Sequence, residues 1–298
     1  MPPSPAITDR RLRVRGTVQG VGFRPFVHRA ATALNLRGWV RNDAAGVVIR
    51  VQGEVEAIDA LVTTLRTAAP AAARVDDVAA TEPAESDLPI GGDFAIAPSD
   101  LRAGPRSAAI PADLALCADC RRELLDPADR RHRYPFLNCT QCGPRYSIVE
   151  SLPYDRARTT MRTFRQCPEC RREYDSPENR RFHAEPNACP ACGPQLSLTR
   201  DDGTIIATAD EAIAQAVVAL DAGQILAVKG LGGFHLMTDA TREGTVARLR
   251  ARKHRDAKPL AVMFPDLATL AACAEVSAAA EALLASPQAP IVLVPRRT

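Results

Sequence analysis

Two groups of residues in this 298-residue chain have the types and spacing that chemistry needs. The first is eight of the nine cysteines, which fall in four CxxC pairs: Cys117 with Cys120, Cys139 with Cys142, Cys167 with Cys170, and Cys189 with Cys192. Eighteen residues separate the first pair from the second, and eighteen again separate the third from the fourth. The flanks repeat as well: "CADCRREL" matches "CPECRREY", and "CTQCGP" matches "CPACGP", at an offset of fifty residues. This is an internal duplication. Four thiolates close a tetrahedral structural zinc site with no open position. The spacing therefore predicts two structural Zn2+ sites, most simply one per repeat, with interleaved pairs left open. Redox-active CxxC pairs are the competing explanation, and two equal spacings speak against them.

The second group is "VRGTVQGVGFRPFVHRAA", Val14 to Ala31. A strand-like alternation runs through Gly20 and Gly22 into an apolar helical pattern. Pro25 stands in its first turn, where a missing N–H costs little. The amides of such a loop and of a helix N-terminus converge on an anion site. Arg24 would stand beside it with a planar fork matched to phosphate. The glycines could equally serve only a tight turn. His28, one turn along, reads as a packing or surface residue rather than a base.

These residues need elements to position them. Residues 9–98 alternate as βαββαβ, a ferredoxin-like split βαβ pattern. "RLRVRGTVQ", "RGWVRN" and "GVVIRVQG" read as strands, the last two joined by the hairpin signal "DAAG". "DFAIAP" is expected to close the sheet. Residues 99–113 are linker-like, the duplicated cysteine module occupies 114–200, and 203–298 alternate helix and strand as an α/β domain. There, "QILAVKG", "PLAVMF" and "PIVLVP" read as strands. "LATLAACAEVSAAAEALLA" reads as one helix carrying Cys273 as a buried thiol. The fold class is α+β and α/β, multidomain.

Composition narrows the function. The chain is 46% hydrophobic, and its net charge of +3 is too small for a general nucleic-acid binder. Between Cys117 and Cys192 there are fourteen Arg against eleven acidic residues, a modest surplus. A nucleic-acid-binding zinc protein is thus an alternative, not the main reading. "MPPSPAITDRRLR" has no apolar signal region, and no apolar run reaches the ~20 residues of a membrane span. A soluble, cytoplasmic protein is expected. Of 38 basic residues only Lys229, Lys253 and Lys258 are lysines, all in the last quarter.

"GTVQGVGFRPFVHRAA" followed by "GWVRNDAAGVVIRVQG" resembles the acylphosphatase family. The resemblance implies that Arg24 and the loop Gln19, Gly20, Val21, Gly22 and Phe23 hold a phosphoryl group, and that Asn42 orients the attacking water. "AVKGLGGFHLMTDA" and "LRARKHRDAKPLAVMF" resemble the YrdC-like fold, which implies ATP (with Mg2+) as substrate. Its implied nucleotide ligands are Lys229, His235, Lys253, Arg255 and Lys258, with Arg252 an alternate to Lys253. The three modules in this order resemble the HypF family of hydrogenase maturation carbamoyltransferases. The family implies that carbamoyl phosphate is hydrolysed, that carbamate reacts with ATP to carbamoyl-adenylate, and that the carbamoyl group passes to a cysteine of a HypE-type partner. That group becomes cyanide on the iron of [NiFe]-hydrogenase. Against the family pattern, the chain is expected to be an N-terminal portion, with a truncated YrdC-like domain and no transferring domain. A threonylcarbamoyl-adenylate-type RNA-modification enzyme is the other enzymatic alternative.

Overall fold

Leu12 and Val14 alternate with polar neighbours along β1 (Ile7–Thr17), which turns them into a core. A glycine turn leads to α1 (Phe23–Ala33), followed by the hairpin β2 (Arg37–Asp43) and β3 (Gly46–Glu54), then α2 (Val55–Thr67). Ile58, Leu61 and Leu65 line one face of α2, as helical spacing requires, and pack with Val27 and Ala31 of α1 against the sheet. β4 (Arg74–Thr81) and β5 (Phe94–Ile96) complete a five-stranded sheet of order β4-β1-β3-β2-β5. Its pairs are antiparallel except β2 with β5.

This is the expected βαββαβ arrangement with one correction. The fourth strand of the motif is Arg74–Thr81, and "DFAIAP" instead supplies a fifth strand on the opposite edge. Only Val78 of β4 is buried, so this edge strand carries almost no alternating pattern.

The computed structural model describes residues 7–84, 87–101 and 108–297. The first six residues, read above for a leader, and 102–107 of the linker-like stretch lie outside the described residues. On either side of 102–107 the chain hydrogen-bonds to the β2–β3 hairpin, Asp100 N to Asn42 O (2.8 Å) and Ala108 N to Ala44 O (3.2 Å).

The chain divides into two units, Met1–Gly193 and Pro194–Thr298, so the sheet and the cysteine module belong to one body. The module has two short helices, α3 (Ala118–Leu125) and α4 (Pro168–Asp175), each starting beside a first cysteine, with 3-10 turns at Arg156–Arg158 and Thr160–Thr163. Its apolar clusters are small and built around the cysteines.

The second unit contains β6 (Ser197–Thr199), β7 (Ile205–Thr208), α5 (Ala209–Asp221), β8 (Leu226–Lys229), β9 (Phe234–Met237), α6 (Glu243–Lys253), α7 (Leu267–Cys273) and α8 (Ala278–Leu284). Three expectations are corrected here. "PLAVMF" and "PIVLVP" form no strand; among the described residues neither has a ladder partner, and Met263, Ile291 and Leu293 are over 80% exposed. The long predicted helix breaks into α7 and α8, the second capped by the Ser277 hydroxyl, which accepts from Ala280 N. Cys273 is exposed rather than buried. No helix among the described residues is long and apolar enough to cross a membrane.

Candidate active site and zinc centres

Gly20 and Gly22 both adopt left-handed backbone (φ +71° and +73°), which L side chains rarely tolerate. Gly22 is the residue before α1, and no acidic side chain occupies the helix's first turn. The side chains of Val21 and Phe23 go into the core, so these residues can offer a ligand only their backbone. Gln19 is likewise turned inward. Its amide donates to Asp43 O (2.7 Å) and Gly46 O (2.8 Å) and accepts from Tyr154 N (2.9 Å), tying the loop to the hairpin and to the cysteine module.

The cysteine module forms the loop's other wall. A methyl group added at Gly20 would lie 3.3 Å from Arg145 and Tyr154, and one at Gly22 would lie 3.2 Å from Thr140. Arg24 is 8% exposed. Its guanidinium meets Glu185 at 2.7 Å and Asp155 at 3.1 Å. Burial alone would lower its pKa, but Glu185 and Asp155 outweigh burial and hold the charge. Burial pushes Glu185 up from the ordinary carboxylate range, opposed by Arg24, by the Tyr174 hydroxyl (3.0 Å) and by the Arg156 amide (2.9 Å). Asn42 lies on β2, 1% exposed. Its amide nitrogen donates to Tyr154 O (3.3 Å), while its Oδ1 is buried without a partner.

Arg24, Asn42, Gly20, Gly22, Glu185 and His183 share a cavity of about 20 Å3, room for one water. Burial and then Arg24 depress the His183 pKa to about 3, so this ring is neutral. His28 packs edge-on against Phe94 and Phe182. Glu185, Asp155, Tyr154, Arg145 and His183 were not singled out from sequence. They lie over 100 residues beyond Asn42, and the one sequence signal among them is that Arg145 breaks the repeat, whose second copy has Gln195.

The eight cysteines form two separate clusters, one per repeat. Sulfur–sulfur distances run 3.5–3.8 Å in the first and 3.6–3.8 Å in the second. A Zn–S bond of about 2.3 Å puts tetrahedral thiolates ~3.8 Å apart, so the donor set fits zinc in both. The arginines on these clusters are exchanged between repeats. Arg180, in the second repeat, donates to Cys120 Sγ (2.7 Å) and Cys117 Sγ (3.7 Å) in the first. Arg130, in the first, donates to Cys170 Sγ (3.1 Å) in the second. Their neighbours follow the same symmetry. Arg131 clasps Glu173 and Ala188 O, and Arg181 clasps Glu123 and Asn138 O.

In the second unit, Lys229 ends β8 with its ammonium 5.9 Å from the Phe234 ring. His235 is exposed on β9, paired with Val228. Gly230–Gly233, read as a loop by the nucleotide, is the turn of this hairpin, Gly230 N donating to Gly233 O (2.8 Å). Lys253 ends α6. Arg255 donates to Pro259 O (3.0 Å), and Lys258 offers its carbonyl to Arg250. The hairpin and the end of α6 thus each carry part of the expected nucleotide set, and no hydrogen bond described joins the two groups.

The geometry agrees with what the chain is similar to. The Acylphosphatase family matches residues 10–96, the HypF finger family matches 116–149 and 167–199, and the Telomere recombination family, which holds the YrdC-like proteins, matches 218–298. The whole chain is 52% identical to the carbamoyltransferase HypF2 of Cupriavidus necator, over 36% of that protein's length. The chain belongs to the HypF family. It is 54% identical to the carbamoyltransferase HypF of Rhodobacter capsulatus, over 96% of the chain and 37% of that relative. A crystal structure of full-length HypF in the phosphate- and nucleotide-bound form superposes with a TM-score of 0.89 at 41% identity, over the whole chain and 38% of that structure. The chain thus spans a little over a third of the length of the HypF proteins it matches, corresponding to their N-terminal region. Zinc binding by the two HypF finger repeats is supported by the family and by both sulfur clusters.

Proposed function

We propose that this region of a HypF carbamoyltransferase hydrolyses carbamoyl phosphate at the Gly20–Arg24 loop and supplies carbamate for ATP-dependent carbamoyl-adenylate formation on the YrdC-like unit. The observation that carries the first step is the partnerless Asn42 Oδ1 in a water-sized cavity with Arg24. The loop amides and the Arg24 fork hold the phosphoryl oxygens, and the positive end of α1 favours their charge. Asn42 Oδ1 accepts a hydrogen from water and aims its oxygen at phosphorus. The P–O bond to the carbamoyl group breaks. Carbamoyl phosphate dianion and water give carbamate and dihydrogen phosphate, two anions from one dianion. An acyl phosphate has a good leaving group, so positioning and charge stabilisation suffice.

For the second step, Lys229, His235, Lys253, Arg255 and Lys258 are the nucleotide-binding set, with ATP and Mg2+ as substrate. In the whole protein the carbamoyl group then goes to a cysteine of a HypE-type partner for cyanide synthesis. The related full-length HypF crystal structure is a phosphate- and nucleotide-bound form, which agrees with a protein that handles both ligands.

Phosphate release from carbamoyl phosphate by this chain and by Arg24→Ala tests the first step. The parent releases phosphate, and Arg24→Ala loses roughly a hundredfold or more in rate. Equal rates would remove the Arg24 loop from the reaction.

A further inference from the structure

Arg145 is the side chain that the function above does not use and whose environment most needs a reason. It is 1% exposed, among the largest fully buried side chains in the protein. Its guanidinium donates only to backbone carbonyls: Nε to Gly20 O, Nη1 to Cys142 O (3.0 Å) and Pro144 O (2.8 Å), and Nη2 to Cys139 O (2.9 Å) and Thr140 O (3.0 Å). No carboxylate pairs with it among the described residues. A buried, unpaired guanidinium costs several kcal/mol, so a negative charge must stand nearby. The sulfurs of Cys139 and Cys142 belong to the first cluster, and four thiolates around Zn2+ leave a net charge of two negatives. The knuckle supplies both the acceptors and the compensating charge.

The fifth acceptor is different. Gly20 lies 125 residues away, in the phosphoryl loop. The C=O and N–H of one trans peptide plane point opposite ways. Pinning the Gly20 carbonyl on Arg145 therefore fixes the direction of the Val21 N–H, one of the amides the loop offers an anion. The duplication isolates the role. The second repeat keeps the knuckle but has Gln195 at the matching place, and it is Arg145 of the first repeat that bonds to the glycine loop.

We infer that Arg145 is a positioning residue for the phosphoryl-binding loop, and that the Cys117–Cys120–Cys139–Cys142 zinc site sets the geometry of that loop through it. The inference rests on the assignment of the loop as the phosphoryl site. It makes the first zinc a structural part of that site.

The test uses the zinc-loaded 298-residue chain, Arg145→Gln, and Arg145→Lys, which keeps the charge but loses the fork in case Arg145→Gln fails to fold. Zinc per chain is read by native mass spectrometry, inorganic phosphate affinity by calorimetry, and amide exchange at Val21–Phe23 by hydrogen–deuterium exchange. The expected variants keep both zinc ions, bind phosphate roughly tenfold or more weakly, and exchange the loop amides faster. Cys142→Ser, which opens the first site, raises exchange at the same amides, whereas Cys192→Ser, in the second, does not. Unchanged phosphate affinity and loop exchange in a folded Arg145 variant would overturn the inference. The failure of the underlying assignment looks different: Arg24→Ala would then bind phosphate as the parent does.

Discussion

The Arg180 guanidinium sits 2.7 Å from Cys120 Sγ, although the two residues belong to different copies of the repeat. Arg130 reaches Cys170 Sγ at 3.1 Å in the reverse direction. An N–H donated to a thiolate sulfur stabilises the anion that binds zinc, so each repeat completes the other's metal site.

Arg180→Ala should therefore weaken zinc at the first site, and Arg130→Ala at the second. Loss of such an outer partner typically costs 10- to 100-fold in metal affinity. Competition with a chromogenic chelator, counting ions by native mass spectrometry, reads this directly. Arg172, exposed on α4 and paired with Glu169 at 3.8 Å, is the control and should change nothing. An equal response of all three variants would show that the crossed arginines do not support the metal.

Glu185→Gln should destabilise the first unit more than any surface change. It leaves the buried Arg24 charge with Asp155 alone, and breaking a buried pair costs about 3–5 kcal/mol. Tyr174→Phe removes only a hydroxyl donated to Glu185 and should cost about 1 kcal/mol. Denaturant unfolding followed by Trp39, the chain's one tryptophan and part of β2, measures both.

The neutral His183 makes stability fall in acid. The unfolded chain binds its proton near pH 6.5 and the native state only near 3, because burial, Arg24, Arg171 and His28 oppose the charge while Asp175 favours it. Stability from this group is whole above pH 6.5 and is lost as pH falls toward 3. Glu173 acts in the same sense lower down, since Arg131 and Arg130 outweigh burial and hold its pKa at about 2. Between pH 7 and 5, Tm of the parent should drop more steeply than Tm of His183→Asn, a residue that tolerates the left-handed backbone at this position (φ +51°). Parallel slopes would exclude His183 as the cause.

Gly22→Ala should damage the loop twice over. A left-handed alanine costs about 1–2 kcal/mol, and its methyl would press on Thr140 at 3.2 Å. Weaker phosphate binding by calorimetry is the expected result. Gly232→Ala, with open space around it, serves as the control.

What the sequence makes legible follows local spacing. Equal CxxC intervals foretell two metal clusters, and alternation plus the "DAAG" turn foretell the hairpin that carries Asn42. The edge strand β4 escapes because "RVDDVAAT" buries one side chain. In the second unit the reverse holds: "PIVLVP" is a short β-branched apolar run of the kind strands use, but without a ladder partner it makes none. Apart from Arg145, where the repeat breaks, the wall around the Gly20–Arg24 loop leaves no local trace. Arg24 and Glu185 are 161 residues apart, and neither segment's pattern refers to the other. The paired arginines at 130–131 and 180–181 are visible as part of the duplication, but a repeat does not say which copy's sulfurs they serve.

The crossed arginines give the two finger repeats the contact pattern of an isologous dimer, in which residue i of one copy meets j of the other and j meets i. A single fifty-residue copy has four cysteines but lacks the arginine that caps them, and two free copies would find each other only at sufficient concentration. Joined in one chain, each copy meets its partner at a local concentration set by the connecting segment, in the millimolar range for short flexible linkers. Metal retention thereby becomes independent of how much protein the cell makes.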